Sequence, residues 1–427
     1  MSAPSATAYD AIRGTVLGVV ERERLDLDQD LADVRRTVAE AVDGYQRRAR
    51  LGDGTALRDP ADMAGRVLRS ITAFGPLTEL LLRPDVEEIF VEGARVTYLD
   101  ASGRLQALAA PTTEEENRQV VDRLLSATQR RLDAGQPLVQ ARVLDGRARL
   151  TAAIPPLCES LSATIRRHTL RRETLASLRA HGSLTRQAAD FLWAVMQAST
   201  SVLVSGPPGS GKTSTLSALL AAAPTTHCIR CCEEIRELNV PLPHGSYYEA
   251  RPAGLDGSAE VSLRDLVKFM LAMRPDRIVV GEVRGSEAFE LTRAVNAGCG
   301  FACTVHANSA RDALTAIVNA AIMAGENVTE PIVRRVFAAA IDLVVHLDFD
   351  TPAGGPGDGI RRQVTEILAV VPSLHDDFST EPIFARAEPG APLLWTGSLP
   401  PSADTIDRRL PGSLTLRGLA EGRGVGA

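Results

Sequence analysis

The chain has 427 residues, of which 44% are hydrophobic and 23% charged, and its formal net charge is -6. A chain of this length holds two or three domains with ample material for packed cores. The acidic balance and 4% aromatic content argue against a dedicated nucleic-acid binder, which needs a basic face and platforms for base stacking.

The stretch Met1 to Asp10 has neither the basic segment nor the apolar run of a secretion signal, and no stretch reaches the roughly 18 apolar residues of a membrane helix. The expectation is a cytoplasmic protein with peripheral membrane contact only. Residues to about Arg69 read as helical, because Ala32, Val34, Val38, Ala41 and Val42 recur on one helix face. Short strands follow at Glu88–Val91 and Val96–Leu99, then a helix from Glu114 to Gln129. Asp145–Gly146 predicts a hairpin between Leu138–Leu144 and Arg147–Ile154, with Pro155–Pro156 ending that unit.

From about Leu175 strands and helices alternate. Strands are expected at Ser201–Ser205, Ile229–Cys232, Arg277–Gly281 and Phe301–Val305. Helices are expected at Lys212–Ala222, Leu263–Met273, Glu287–Ala297 and Ala310–Ala324. That order implies a mostly parallel sheet with helices on both faces. A glycine-rich loop, Gly354–Gly359, separates late strands at Leu343–Leu347 and Gln363–Val370, and the Gly-, Pro- and Ser-rich tail after Pro389 reads as partly loosely ordered. Six cysteines in a chain this long do not suggest a disulfide scaffold; Cys228, Cys231 and Cys232 read as core residues.

Gly206-Pro207-Pro208-Gly209-Ser210-Gly211-Lys212-Thr213, followed by Ser214, fits the phosphate-binding loop G-x-x-x-x-G-K-[ST] between a strand and a helix. Glycines let backbone N–H groups turn inward around phosphate oxygens, the helix adds its positive end, Lys212 places an ammonium near the terminal phosphates and Thr213 offers a hydroxyl to Mg²⁺. Only Lys212 and Lys268 are lysines among 47 basic residues, so lysine is kept inside this loop in a chain that uses arginine nearly everywhere else. Arg277–Gly281 leads straight to Glu282, a carboxylate at the carboxyl end of a central strand that can hold the Mg²⁺ shell or orient an attacking water.

These residues resemble the secretion ATPases of type II and type IV systems, and are most similar to the Tad/Flp pilus-assembly (CpaF-like) branch. The resemblance covers roughly residues 70 to 370. It rests on the phosphate loop, the acidic box Cys232-Glu233-Glu234-Ile235-Arg236-Glu237-Leu238, the run Met273 to Gly285 around Glu282, and Thr304-Val305-His306-Ala307-Asn308. Upstream, Gly75-Pro76-Leu77, Val86-Glu87-Glu88-Ile89 and Pro137 to Gly146 also match. It implies a RecA-like α/β ATPase domain over 181–427, a smaller α+β domain over 70–168, a linker over 169–180 with the hinge near Arg166 to Leu175, and an N-terminal helical region over 1–69.

The resemblance further implies a hexameric ring of identical subunits, with ATP and Mg²⁺ as ligands and inner-membrane platform proteins of a pilus or secretion system as partners. Arg142 matches a family arginine that approaches the terminal phosphates, and either Arg147 or Arg149 matches a second. Glu233 and Glu234 are implied to act on Mg²⁺ or its water shell, Glu282 to align the water, and His306 to sense the γ-phosphate. The family's first box histidine is replaced here by Gly298 or Cys299, depending on register. Two other readings stay open: a DNA-translocating motor, and a non-catalytic nucleotide-binding regulator favoured by the missing histidine.

Overall fold

The computed structural model describes residues 8–424 except 28, 110–111, 129, 168–172, 239, 241, 252–258, 326, 351–360, 373–377 and 389. The chain forms two compact units, Met1–Thr169 and Leu170–Ala427. The glycine-rich loop at 354–359 lies outside the described residues, as do residues 168–172 of the expected hinge.

The first unit opens with helices Ala8–Glu23, Leu31–Arg50 and Pro60–Thr72, which share a core of Tyr9, Ile12, Val16, Val34, Val38, Val42, Val67 and Ile71. Val34, Val38 and Val42 recur every four residues, so one stripe of the middle helix faces its neighbours. The third helix starts cleanly because Asp59 accepts from the N–H of Asp62 and Pro60 fills the first position. Its Arg66 forms a two-pronged ion pair with Glu116, at 2.9 and 2.7 Å, and Glu116 is only 2% exposed. This pair ties the helical region to the rest of the unit.

Six antiparallel strands follow: β1 (Val86–Glu92), β2 (Arg95–Asp100), β3 (Leu105–Ala107), β4 (Leu138–Val143), β5 (Ala148–Ala153) and β6 (Ser162–Arg167), in the order β3-β2-β1-β6-β5-β4. Ile89, Val91, Ala141, Val143, Leu150 and Ile165 bury one face in a core shared with Val120, Val121, Leu124 and Leu125 of the helix Glu114–Ser126. The expected hairpin forms, with Asp145 and Gly146 both at positive φ. Pro155–Pro156, however, does not end the unit. β6 follows it and inserts between β1 and β5, at the middle of the sheet. Only Ala163 and Ile165 of β6 face the core, so the strand carries too little apolar pattern to announce itself.

The second unit is built on nine strands: β7 (Val202–Gly206), β8 (Ile229–Glu233), β9 (Gly245–Glu249), β10 (Arg277–Val280), β11 (Gly300–His306), β12 (Leu343–Asp350), β13 (Arg361–Val371), β14 (Ser379–Ala385) and β15 (Leu394–Trp395). Their order is β15-β14-β13-β12-β7-β11-β10-β8-β9. The six from β12 to β9 run parallel and β13 to β15 antiparallel. Two separate apolar layers cover the sheet faces, as expected of an α/β fold. β7 lies between β11 and β12, with β10 beyond β11, so Gly206, His306 and the residue after β10 emerge on one carboxyl edge.

Two stretches are more ordered than the sequence suggested. Within the expected linker, Leu175–Ala180 is a helix capped reciprocally by Thr174 and Ser177, and Leu175 and Leu178 join the core. The C-terminal tail adds helices Ala403–Asp407 and Leu416–Ala420. It also buries Leu393, Ile406, Leu416 and Leu419 in the same core as Phe191 and Leu192. The tail's glycines and prolines mark turns between these anchors.

Candidate nucleotide site

β7 is buried along its whole length and delivers the chain to Gly206 at the carboxyl edge. There the backbone takes conformations that side chains oppose. Gly206 has φ 152°, and a Cβ on it would lie 2.4 Å from the carbonyl oxygen of Leu347 and 2.7 Å from Ser210 Oγ. Gly209 and Gly211 have φ of 76° and 93°. Gly211 is the cap of the helix Lys212–Ala221, whose first N–H groups therefore point into the loop without helical partners. Ser210 Oγ is buried without a hydrogen-bond partner. Thr213 is half-buried and Ser214 exposed at the helix start.

Lys212 is only 7% exposed. Its ammonium donates to the carbonyls of Gly206 and Pro207, both at 3.0 Å, and lies 3.1 Å from His306 Nδ1. An ammonium has no lone pair, so Nδ1 accepts and the ring proton sits on Nε2. That nitrogen pairs with Glu282 Oε1, and the other oxygen of Glu282 pairs with Arg284. Burial holds the imidazole below the ordinary histidine value, outweighing Glu282, while Lys212 and Arg284 act in the same direction as burial. The ring is thus a neutral bridge in one chain of contacts, Lys212–His306–Glu282–Arg284. Three segments far apart in sequence meet there because β7, β11 and β10 are neighbours.

The acidic box divides. Glu233, at the end of β8, is 5% exposed, and its carboxylate accepts from the N–H groups of Glu237 and Leu238. Burial pushes it up to about 8. Glu234 is exposed. Gly298 and Cys299 lie just before β11, whereas His306 is that strand's last residue. Seven strand residues separate the two ends by roughly 20 Å. The missing histidine position is therefore at the opposite sheet edge from Lys212, and its loss leaves this cluster intact.

The sequence did not single out Arg284 as Glu282's counter-ion or His346 as a neighbour of the loop. His346, buried in β12, holds the hydroxyl of Ser205, the residue before the loop, at 2.9 Å. Only the parallel pairing of β7 and β12 brings them together.

In the first unit, Arg142 on β4 lies directly opposite Arg149 on β5, and Arg149 opposite Arg166 on β6. Residues so paired share a face. Here it is the open one, since Ala141, Val143, Ala148 and Leu150 take the core side. Arg149 donates to Gln140 at 3.1 Å, and Arg166 is 3.3 Å from Glu88. Arg147 sits in the hairpin turn, with its Nε donating to the carbonyl of Leu144.

The described cysteines are all free thiols, with Cys231, Cys232, Cys299 and Cys303 buried. Among the described residues no group of three or more His, Cys, Asp and Glu side chains is placed to hold a metal ion, and no helix is long and apolar enough to cross a membrane.

The profile of the type II/IV secretion system proteins matches residues 71–347, which takes in both the arginine face and the loop cluster. The chain belongs to the type II/IV secretion system protein family. A putative conjugal transfer protein of Mycobacterium tuberculosis H37Rv is 33% identical to it over 314 residues, 71% of this chain and 87% of the relative. The type IV secretion system protein VirB11 of Brucella suis is 27% identical over 328 residues, 68% of this chain and 88% of the relative. Among solved structures, the Legionella pneumophila ATPase DotB aligns with a TM-score of 0.46 at 18% identity, covering 67% of this chain and 77% of that one.

Proposed function

We propose that this family member hydrolyses ATP and serves as the motor of a secretion or pilus-assembly system, in the Tad/Flp branch, as a ring of six identical subunits at the inner face of the membrane. The observation that carries the reading is the contact chain Lys212–His306–Glu282 at the mouth of a loop that only glycines can form. The loop's backbone N–H groups and Lys212 suit a triphosphate, and Thr213 with Glu282 suits Mg²⁺. When bound, the metal would neutralise charge on the terminal phosphates.

The protein's own groups then have defined tasks. Lys212 offsets negative charge, Glu282 orients the attacking water, and His306 couples the two, since a shift of either moves its ring. Glu234 is free to meet the metal's water shell. Arg142 and Arg149, which share one open face, are the arginines this reading assigns to the terminal phosphates. Inner-membrane platform proteins are the partners this reading requires. The regulator alternative drew on the missing box histidine, and that position lies at the wrong edge of the sheet to argue for it.

Phosphate release from Mg-ATP, measured over a protein concentration series, tests the proposal. Activity that rises cooperatively and vanishes in Lys212→Ala and Glu282→Gln is expected. Near-normal release by either variant would refute the site, and a rate raised many-fold by DNA would favour the translocase alternative.

A further inference from the structure

We infer that Glu233 is a positioning residue for Glu282 and not a ligand of the metal shell: its carboxylate clasps the loop after β8 against the strand end that presents Glu282. The inference deepens the ATPase reading above and rests on it for its catalytic arm. Family resemblance treats the two acids of the box alike, whereas their surroundings here are opposite. Glu234 faces solvent. Glu233 turns inward and takes three N–H contacts, from Glu237 at 3.1 Å and from Leu238 at 3.2 and 3.0 Å.

The other flank of Glu233 lies on Gly281. A Cβ at Gly281 would fall 2.5 Å from Glu233 Cγ and 2.8 Å from its Oε1. Gly281 does not have a positive φ. Its lack of a side chain therefore answers to the bulk of Glu233 and not to a backbone conformation. The same peptide is held on two more sides: Gly281 N–H donates to the Cys232 carbonyl at 2.9 Å, and its carbonyl accepts from Thr304 Oγ1 at 2.6 Å. Glu282 is the next residue. Its backbone is thus set by β8, by β11 and, from the third side, by the Glu233 stem.

The clasp continues outward. The loop that Glu233 holds carries Leu238 into the core and places Arg236 over the Tyr247 ring at 4.5 Å. Tyr247 in turn accepts from the N–H of Val240 at 2.8 Å. The post needs an acceptor, and one oxygen of Glu233 takes both Glu237 and Leu238. A glutamine can keep those two bonds through its amide oxygen and fill the same volume, while removing the carboxyl group that a metal shell would need.

Glu233→Gln and Glu233→Ala separate the roles. With Glu233 as clasp, alanine lowers kcat about tenfold, glutamine restores it to within about threefold of the parent, and the half-saturating Mg²⁺ concentration stays put in both. Glutamine as damaging as alanine, or a several-fold rise in the Mg²⁺ midpoint, would overturn the inference. Gly281→Ala supplies an independent variant, expected to lower kcat in the same direction with MgADP binding retained. Amide hydrogen exchange reads the clasp without turnover. Protection at 236–238, 240 and 281–284 falls in Glu233→Ala and persists in Glu233→Gln; equal protection in the parent and both variants refutes the clasp. An inactive parent protein would sink the ATPase reading alone, and the exchange data would still decide this one.

Discussion

The two sheets carry their charged groups in opposite ways. In the nine-stranded sheet, Lys212, Glu282 and His306 sit at or just beyond strand ends, and each touches another member of the set. In the six-stranded sheet, Arg142, Arg149 and Arg166 stand side by side along an exposed face, like charge opposite like charge. The first arrangement compensates its charges internally. The second sets like charges beside one another, with Arg166 at 3.3 Å from Glu88. A partly buried cation needs partners on hand, while a solvated row costs little.

The largest effect should come from the compensated set. Lys212→Ala is expected to lower phosphate release about a thousandfold, because it removes both the ammonium and one end of the His306 bridge. Next comes the buried tie in the first unit. Arg66→Ala strands Glu116 in a site it cannot leave and should cost about 3 kcal/mol in urea unfolding. Adding Glu116→Gln should recover part of that loss, and a single mutant as stable as the parent would show that the pair is not needed.

The exposed row gives the sharper contrast. Arg149→Ala should cut turnover by about tenfold and leave the urea midpoint unchanged or slightly raised, since it relieves like-charge pairing. Arg147→Ala, in the turn, should change turnover by less than about twofold. Equal losses would mean that the strand face does not select between them.

The smallest effect is a pH limb. His306 is held below the ordinary histidine value, so the unfolded chain binds its proton more readily than the folded one. Its stabilising contribution is present above the ordinary histidine range and is lost as pH falls through the folded value. Activity and stability should therefore both drop on the acidic side, with the activity limb lying below the usual histidine midpoint, and His306→Gln should flatten it. An acid limb unchanged in that variant would assign the titration to another group.

The separate pieces of the loop cluster were legible in the sequence because each lies within one short segment. Gly206 to Thr213 is one strand–helix turn, and Ile278–Val280 is a buried apolar run that ends two residues before Glu282. The helices of the first 72 residues were also visible, since Val34, Val38 and Val42 repeat within one element. β6, the ordered tail and the inward turn of Glu233 were not. Each depends on residues distant in the chain: β1 for β6, the helix Arg186–Met196 for the tail, Gly281 for Glu233.

By itself, then, the amino-acid order determined which residue types stand at each turn, strand end and helix start, because local sterics, capping and apolar periodicity act over a few residues. Tertiary structure alone decided that Arg149 shares a face with Arg142 while Arg147 stays in the turn. It alone put Cys299 at the far edge from Lys212, and made one acid of the box a buried clasp and the other a solvent-facing carboxylate. Cross-strand register and burial set those outcomes, and both are properties of segments brought together only when the sheets form.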